Sequence, residues 1–335
     1  MLRSMYSGIS GLQANQIKLD VNGNNIANVS TTAFKSQRVR FQDMLSQSMR
    51  ESTGAGTNIG GTNPSQVGLG TQVAGIDTIV VQGNMQPTGN TLDFGIDGAG
   101  YFVVGKGPAS SDGIELTDNI LPDDTKGMSF NFTRDGSFTL DEYGQLLTSN
   151  GLRVMGYKIE GTDITYSDDG KPSIDTVPPD VNQQKPAVSD PKVLIPLIIP
   201  DKVGTDNEAV KIKSFSVDTN GVIKATLADN KVVALGQIGM TSFKNPAGLS
   251  KDGKNLYSRS SNSGEPLFRD GVGKPAEESN EKGFGDINQG MLEMSRVDLA
   301  EQFTEMIVAT RAFQANGKMI TTGDEILQEL VNLKR

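Results

Sequence analysis

The sequence predicts a mixed fold: long α-helices toward the two ends form a coiled-coil-like unit, and the middle is mainly β. Three observations predict it. Apolar residues recur on alternating three- and four-residue steps from Leu2 to Leu19, and again from Leu299 to Val331. Between these stripes lie short alternating runs punctuated by Asp-Gly and Asn-Gly pairs, the pattern of strands joined by tight turns.

In the first stripe Leu2, Met5, Ile9, Leu12 and Leu19 keep heptad spacing, with Gln16 in the remaining seam position. Gly8, Gly11 and Gly23 each weaken such a helix by up to about 1 kcal/mol relative to Ala. Asn22, Asn24, Asn25 and Asn28 then read as its fraying end. The second stripe is stronger: Leu299, Phe303, Met306, Phe313, Ile320, Leu327 and Val331, with Thr310, Gly317 and Asp324 between them. Read continuously over 293–333 it is a helix of about 60 Å at 1.5 Å per residue. Neither helix has enough sequence beside it to bury its other faces. The expectation is therefore a paired helical unit, 1–30 with 290–335, covered by further copies of the chain. The twelve apolar positions are its self-assembly seam.

The middle begins with a stretch, 52–75, of Gly, Ser, Thr and Asn with little to bury, so 31–75 reads as a linker or extended arm. Asp97-Gly98 separates 92–96 from 101–104, and Asp135-Gly136 separates Phe130 and Phe132 from Phe138 and Leu140. Asn150-Gly151 and Asn220-Gly221 are two more hairpin signals, together the signature of small sandwiches or barrels. Seven of the fourteen prolines fall in 172–200. That break predicts a small β-domain over 157–212, inserted into a discontinuous β-domain of 76–156 with 213–289.

Composition narrows the function classes. The 335 residues contain neither Cys nor His, which removes disulfides, thiolate nucleophiles, Cys/His zinc sites and histidine bases together. The net charge of −9 argues against nucleic-acid binding, which needs clustered Lys and Arg. The charge is uneven, with +4 in residues 1–50 and −13 in the remaining 285. No run in 1–23 suits a secretory leader, and none elsewhere suits a bilayer span. These signals fit a soluble cytoplasmic protein, and the missing cysteine fits export without disulfides equally well.

No chemistry-bearing motif survives inspection. Gly248 to Asn255 has P-loop glycine spacing and Lys254, but Asn255 stands where magnesium needs Ser or Thr. A Lys-Asp-Gly-Lys turn is the better reading. An EF-hand-like run from Asn131 to Glu142 lacks acidic residues at its first two ligand positions. Asp123-Asp124 and Asp168-Asp169 sit in polar contexts, where a solvated surface is the default. The expectation is no catalytic residue, no metal and no cofactor.

Longer motifs then resemble a known family. Ser7 to Ala14, followed by Asn22 to Lys35 (NGNNIANVSTTAFK), is similar to the N-terminal signature of flagellar rod and hook proteins. Residues 290–301 (GMLEMSRVDLAE), 303–307 and 311–316 resemble the same family, as do 96–104 and 132–138. The tracts 233–239, 243–249, 255–257 and 330–335 resemble hook subunits within it; a distal rod subunit is the alternative, and a monomeric β-rich surface-binding protein is the alternative from another class. The hook resemblance implies an extracellular homopolymer, a curved flexible tube lined by terminal helices that acts as a universal joint from motor to filament. It also implies passage through the flagellar type III export apparatus, and contact with distal rod, hook cap and hook–filament junction proteins.

Overall fold

The computed structural model describes residues 2–333, apart from 55, 58–59, 109–112, 117–118, 123–126, 160–161, 163, 167–171, 175–188, 205–209 and 273–278. The acidic pairs at 123–124 and 168–169 therefore lie outside the described residues. The chain folds as two compact units, Met1–Val80 with Arg296–Arg335, and Val81–Ser295.

The first unit holds both helices, α1 (Leu2–Ala27) and α2 (Leu299–Leu333). They pack antiparallel: Met5 of α1 lies against Gly323 of α2, Gly8 against Ile320 and Gly11 against Asn316. At the other end Lys18 pairs with Glu305 at 3.4 Å. α2 begins later than 293, because Met291–Glu293 is an extended strand. Asp298 sets its start by accepting the Ala300 and Glu301 amides through Oδ1, at 2.9 and 3.3 Å, satisfying donors that the first turn leaves unpaired.

The stretch expected as a linker or extended arm holds a two-stranded antiparallel ribbon. β1 (Gln37–Asp43) and β2 (Ser46–Arg50) run out, and β3 (Ser65–Gly68) and β4 (Thr71–Thr78) return. Gln37 faces Thr78, Asp43 faces Thr71, Ser46 faces Gly68, and Thr53 bridges Thr62 near the tip. A ribbon satisfies its backbone by pairing with itself and needs no core to do so. Its root is held to α1 by the Thr71 amide, which donates to Ser10 Oγ at 3.3 Å.

Among the described residues of the second unit the regular elements are strands and short 3₁₀ turns. Its largest sheet runs through the antiparallel strands Val210–Val217, Val222–Leu227, Val232–Ile238, Arg153–Ile159, Tyr101–Lys106, Ser129–Thr133 and Leu256–Ser258. Phe94, Ile96, Phe102, Val104, Phe138, Leu146, Val154 and Leu235 belong to one buried cluster. Two of the four Gly-turn signals close hairpins between neighbouring strands, at Asn150-Gly151 and Asn220-Gly221. The Asp-Gly pairs do not. Phe94–Asp97 pairs with Asp286–Gln289, and Phe138–Leu140 with Leu146–Thr148. A glycine turn reverses or bends the chain locally, but long-range packing chooses the partner strand.

The expected inserted domain over 157–212 is corrected too. Within it Ser189–Pro196 pairs with Arg153–Ile159, Met155 facing Pro196 and Ile159 facing Ser189. Ile195, Leu197, Ile198, Ile199 and Val203 join the same cluster as Phe102 and Val154, as do Ile164 and Ile174. An apolar run buried on both faces is core, so the described part of this segment completes the main β unit. The prolines at 178, 179 and 186 lie outside the described residues.

Candidate assembly surface

The helix pair is built on close approach more than on large apolar side chains. A Cβ on Gly11 would come within 2.7 Å of the Asn316 amide nitrogen, so the glycine leaves room for that side chain between the helices. On α1 Gly8, Ala14, Val21, Asn22 and Asn25 are buried; on α2 only Gln302 and Ala309 are, among the described residues. Asn25 is fully enclosed. Its Nδ2 donates to Gln37 O at 2.8 Å and to Gln302 Oε1 at 3.0 Å, while its Oδ1 accepts the Gln37 amide at 3.0 Å. One side chain thus ties the end of α1, the start of β1 and the first turns of α2 together.

The predicted seam divides. Met5, Leu12, Leu19, Met306, Ile320 and Leu327 are half-buried in the unit. Ile9 (41%), Leu299 (40%), Phe303 (49%), Phe313 (40%) and Val331 (67%) are exposed instead, and the side chain of Leu2 lies outside the described residues. On α2 Met306, Ile320 and Leu327 of one predicted line are half-buried, Ile320 lying against Gly8 of α1, and Phe313 is exposed. The other, expected at 303, 310, 317 and 324, is displaced by one residue to Gln302, Ala309, Asn316 and Gly323. One residue is about 100° of helix, enough to turn Phe303 and Val331 outward.

Sequence reasoning missed the small and polar residues that make the contact. Gly8, Gly11, Asn15, Lys18, Asn22 and Asn25 recur on the same three- and four-residue steps as the apolar stripe. That second periodicity was the available signal, obscured because glycine and asparagine ordinarily mark helix ends.

Further large apolar side chains of the two helices are exposed. Ile307, Val308, Met319, Ile326 and Leu330 join the exposed seam residues along α2, with Tyr6 and Ile17 on α1. Beside α1 an open groove of about 410 Å³ is lined by Arg3, Tyr6, Ile9, Ser10, Gln13, Met44 and Leu69. No described helix is long and apolar enough to cross a membrane. Within Gly248 to Asn255, Ser250–Gly253 is a strand paired with Leu256–Ser258, and Lys254 and Asn255, both at positive φ, make the turn between them.

Comparison with known proteins covers these same elements. The profile described as flagella basal body rod protein matches residues 5–35, spanning α1 and the turn after it. The profile for the flagellar basal body rod FlgEFG protein C-terminal matches 288–333, and that for the flagellar hook protein FlgE/F/G D1 domain matches 120–225. The flagellar basal-body rod protein FlgG of Bacillus subtilis is 41% identical over 335 residues, the whole of both chains. The flagellar hook protein FlgE of Borreliella burgdorferi is 32% identical over 469 aligned residues, and FlgG of the same organism 32% over 337, each covering both chains fully. A crystal structure of Helicobacter pylori flagellar hook protein FlgE2 aligns with 62% of this chain at 12% identity, with a TM-score of 0.39. Alike over its full length to rod and hook subunits, the chain belongs to the flagellar rod and hook protein family, structural parts of the flagellum and not enzymes.

Proposed function

We propose that the chain is a self-assembling subunit of the flagellar axis, and that its place is the distal rod, the straight shaft within the cell envelope. Alignment length carries this reading. The rod relatives match over 335 and 337 positions, close to this chain's own length, whereas whole hook relatives need 469 and 492. The described part of 157–212, expected as an inserted domain, contributes to the core of a single β unit. Copies assemble through the exposed face of the helix pair, Ile9, Leu299, Phe303, Phe313 and Val331 included, while Met5, Leu12, Leu19, Met306, Ile320 and Leu327 hold the pair itself together. The ribbon around 52–75 bridges neighbouring subunits. Its partners are further copies, the adjoining axial proteins and the type III export apparatus.

The hook is the second reading. Whole-chain likeness to a hook protein, and 43% identity over 49% of this chain to the Helicobacter pylori hook protein, support it. In that place the same subunit forms a curved tube outside the cell, and polar contacts between β units slide as it rotates. Immunogold labelling of isolated hook–basal bodies separates the two. Label on the straight segment supports the rod; label on the curved external segment overturns the rod in favour of the hook.

A further inference from the structure

The chain crosses into and out of the β unit at two points, near Val81 and near Ser295. The strands just inside are short: Met85–Pro87 pairs with Met291–Glu293, Met85 facing Glu293 and Pro87 facing Met291. Pro87 brings no amide hydrogen to that ladder, and an isolated two-stranded pair is marginal in water. Something else must hold these strands to the body of the unit.

We propose that Arg134, Glu293 and Gly83 form an ionic clamp at this neck, so that a pull or twist arriving through both crossings is taken up by the β core instead of peeling the strands away. The Glu293 carboxylate is fully buried. Its Oε1 accepts the Gly83 amide at 2.7 Å, and its Oε2 lies 3.0 Å from Arg134 Nε. One carboxylate on the outgoing strand therefore grips the incoming chain and the core at once. Arg134, 3% exposed, anchors the other side. Its Nη2 donates to Gly98 O at 2.6 Å and to Ile96 O at 3.3 Å, and its guanidinium lies 5.8 Å from the centre of the Tyr101 ring.

The neighbouring contacts converge on the same turn. Gln82 donates to Asp97 Oδ1 at 3.0 Å and accepts the Gly98 amide at 3.1 Å. The Met294 amide donates to Asn84 O at 2.9 Å. A Cβ on Gly83 would strike the Met294 carbonyl oxygen, so the two crossings run too close together for any other residue there. Both side chains of this ion pair are almost wholly buried. A buried pair adds little net stability over an apolar pair of equal volume. What it adds is direction: the contacts hold only when both crossings and the 96–98 turn are in register.

The purpose rests on the assembly role proposed above; the geometry does not, and the test is made on the monomer. Hydrogen exchange is mapped on the full chain, on Glu293→Gln, and on the double variant Arg134→Met with Glu293→Met, which leaves no buried charge unpaired. The expected result is exchange roughly a hundredfold faster at 82–87 and 291–294 in both variants, because each leaves a buried donor unpaired, the Arg134 guanidinium in the first and the Gly83 amide in the second, with 101–106 and 232–238 protected as in the parent. Neck amides as protected in the double variant as in the parent would overturn the clamp, since apolar filling then suffices. Loss of protection at the neck and the main sheet together would overturn it as well, because the pair would then support the whole core. A parent chain that fails to assemble argues against the assembly role and leaves the exchange result standing.

Discussion

Asn25 meets three elements with one amide group, which is why its replacement is informative. Asn25→Ala leaves the Gln37 amide and carbonyl and the Gln302 side chain without their partner. It is expected to cost about 2–3 kcal/mol in the helical unit, read as a lower melting temperature of that unit with the β unit unchanged. Gly11→Leu acts at the same seam by volume, since the Asn316 amide already fills the space. Forcing the helices apart costs about 1–3 kcal/mol or more, and Gly23→Leu, where nothing lies within reach, is the matched control. Buried tyrosines give a pH dependence. Burial pushes the Tyr101 hydroxyl from 10.0 up to about 12, and raises Tyr157 and Tyr257 further. The folded state keeps these protons while the unfolded chain loses them near pH 10. Their contribution is thus complete below pH 10 and is lost as pH rises through 12. Melting the β unit at rising alkaline pH should show that decline, and phenolate absorbance should lag behind that of the denatured chain. Of these residues the sequence marked Asn25 as a fraying end and Gly11 as a weakness; each is a contact, Asn25 with Gln302 and Gly11 with Asn316, partners that lie hundreds of residues away along the chain.

At the scale of elements, α1 and α2 were legible and their facing sides only partly so. Periodicity records that a helix has a stripe to bury, but not which neighbour covers it. α2 carries enough apolar residues for more than one neighbour, so the line through Gln302, Ala309, Asn316 and Gly323 faces α1 while Phe303 and Phe313 turn outward. A Phe303→Gln, Phe313→Gln double variant tests what the outward face does. Stability of the monomer should change by no more than about 0.5 kcal/mol per site, while sedimentation at rising concentration should show assembly weakened or lost. The ribbon makes the complementary case. Its backbone closes on itself from Gln37–Thr78 out to Thr53–Thr62, so its tip is dispensable to the fold. Replacing 54–61 by a two-residue Asn-Gly turn should leave the circular-dichroism melt in place and reduce the length of assembled polymer. An unchanged polymer would remove the bridging role.

At the scale of the molecule, charge separates the two units. Residues 81–295 hold 30 acidic and 20 basic side chains, a net of −10, and the rest of the chain is +1. Copies brought together by their helices therefore carry like-charged β units into proximity. Screening weakens such repulsion within about 8–10 Å at moderate salt. Assembly should accordingly strengthen as sodium chloride rises from about 10 to 150 mM, read by light scattering. Opposite salt dependence would mean that attraction between charged surfaces drives assembly.

What could be read without coordinates is what arises over a few residues: helix stripes from steps of three and four, strands from alternation, turns from Asn-Gly and Asp-Gly, and the family from contiguous motifs. The missing Cys and His also narrowed the chemistry before any fold was known. Partner choice between distant segments needed the tertiary structure. Ser189–Pro196 enters the main sheet because its apolar run is covered on both faces by strands from other parts of the chain. Phe94–Asp97 pairs with a strand nearly two hundred residues later, not with its neighbour. The face of α2 that meets α1 depends on glycines in another helix. Local energies act over one turn or one pleat and leave their imprint in spacing; contacts between remote segments are chosen by how well whole surfaces fit, which spacing does not encode.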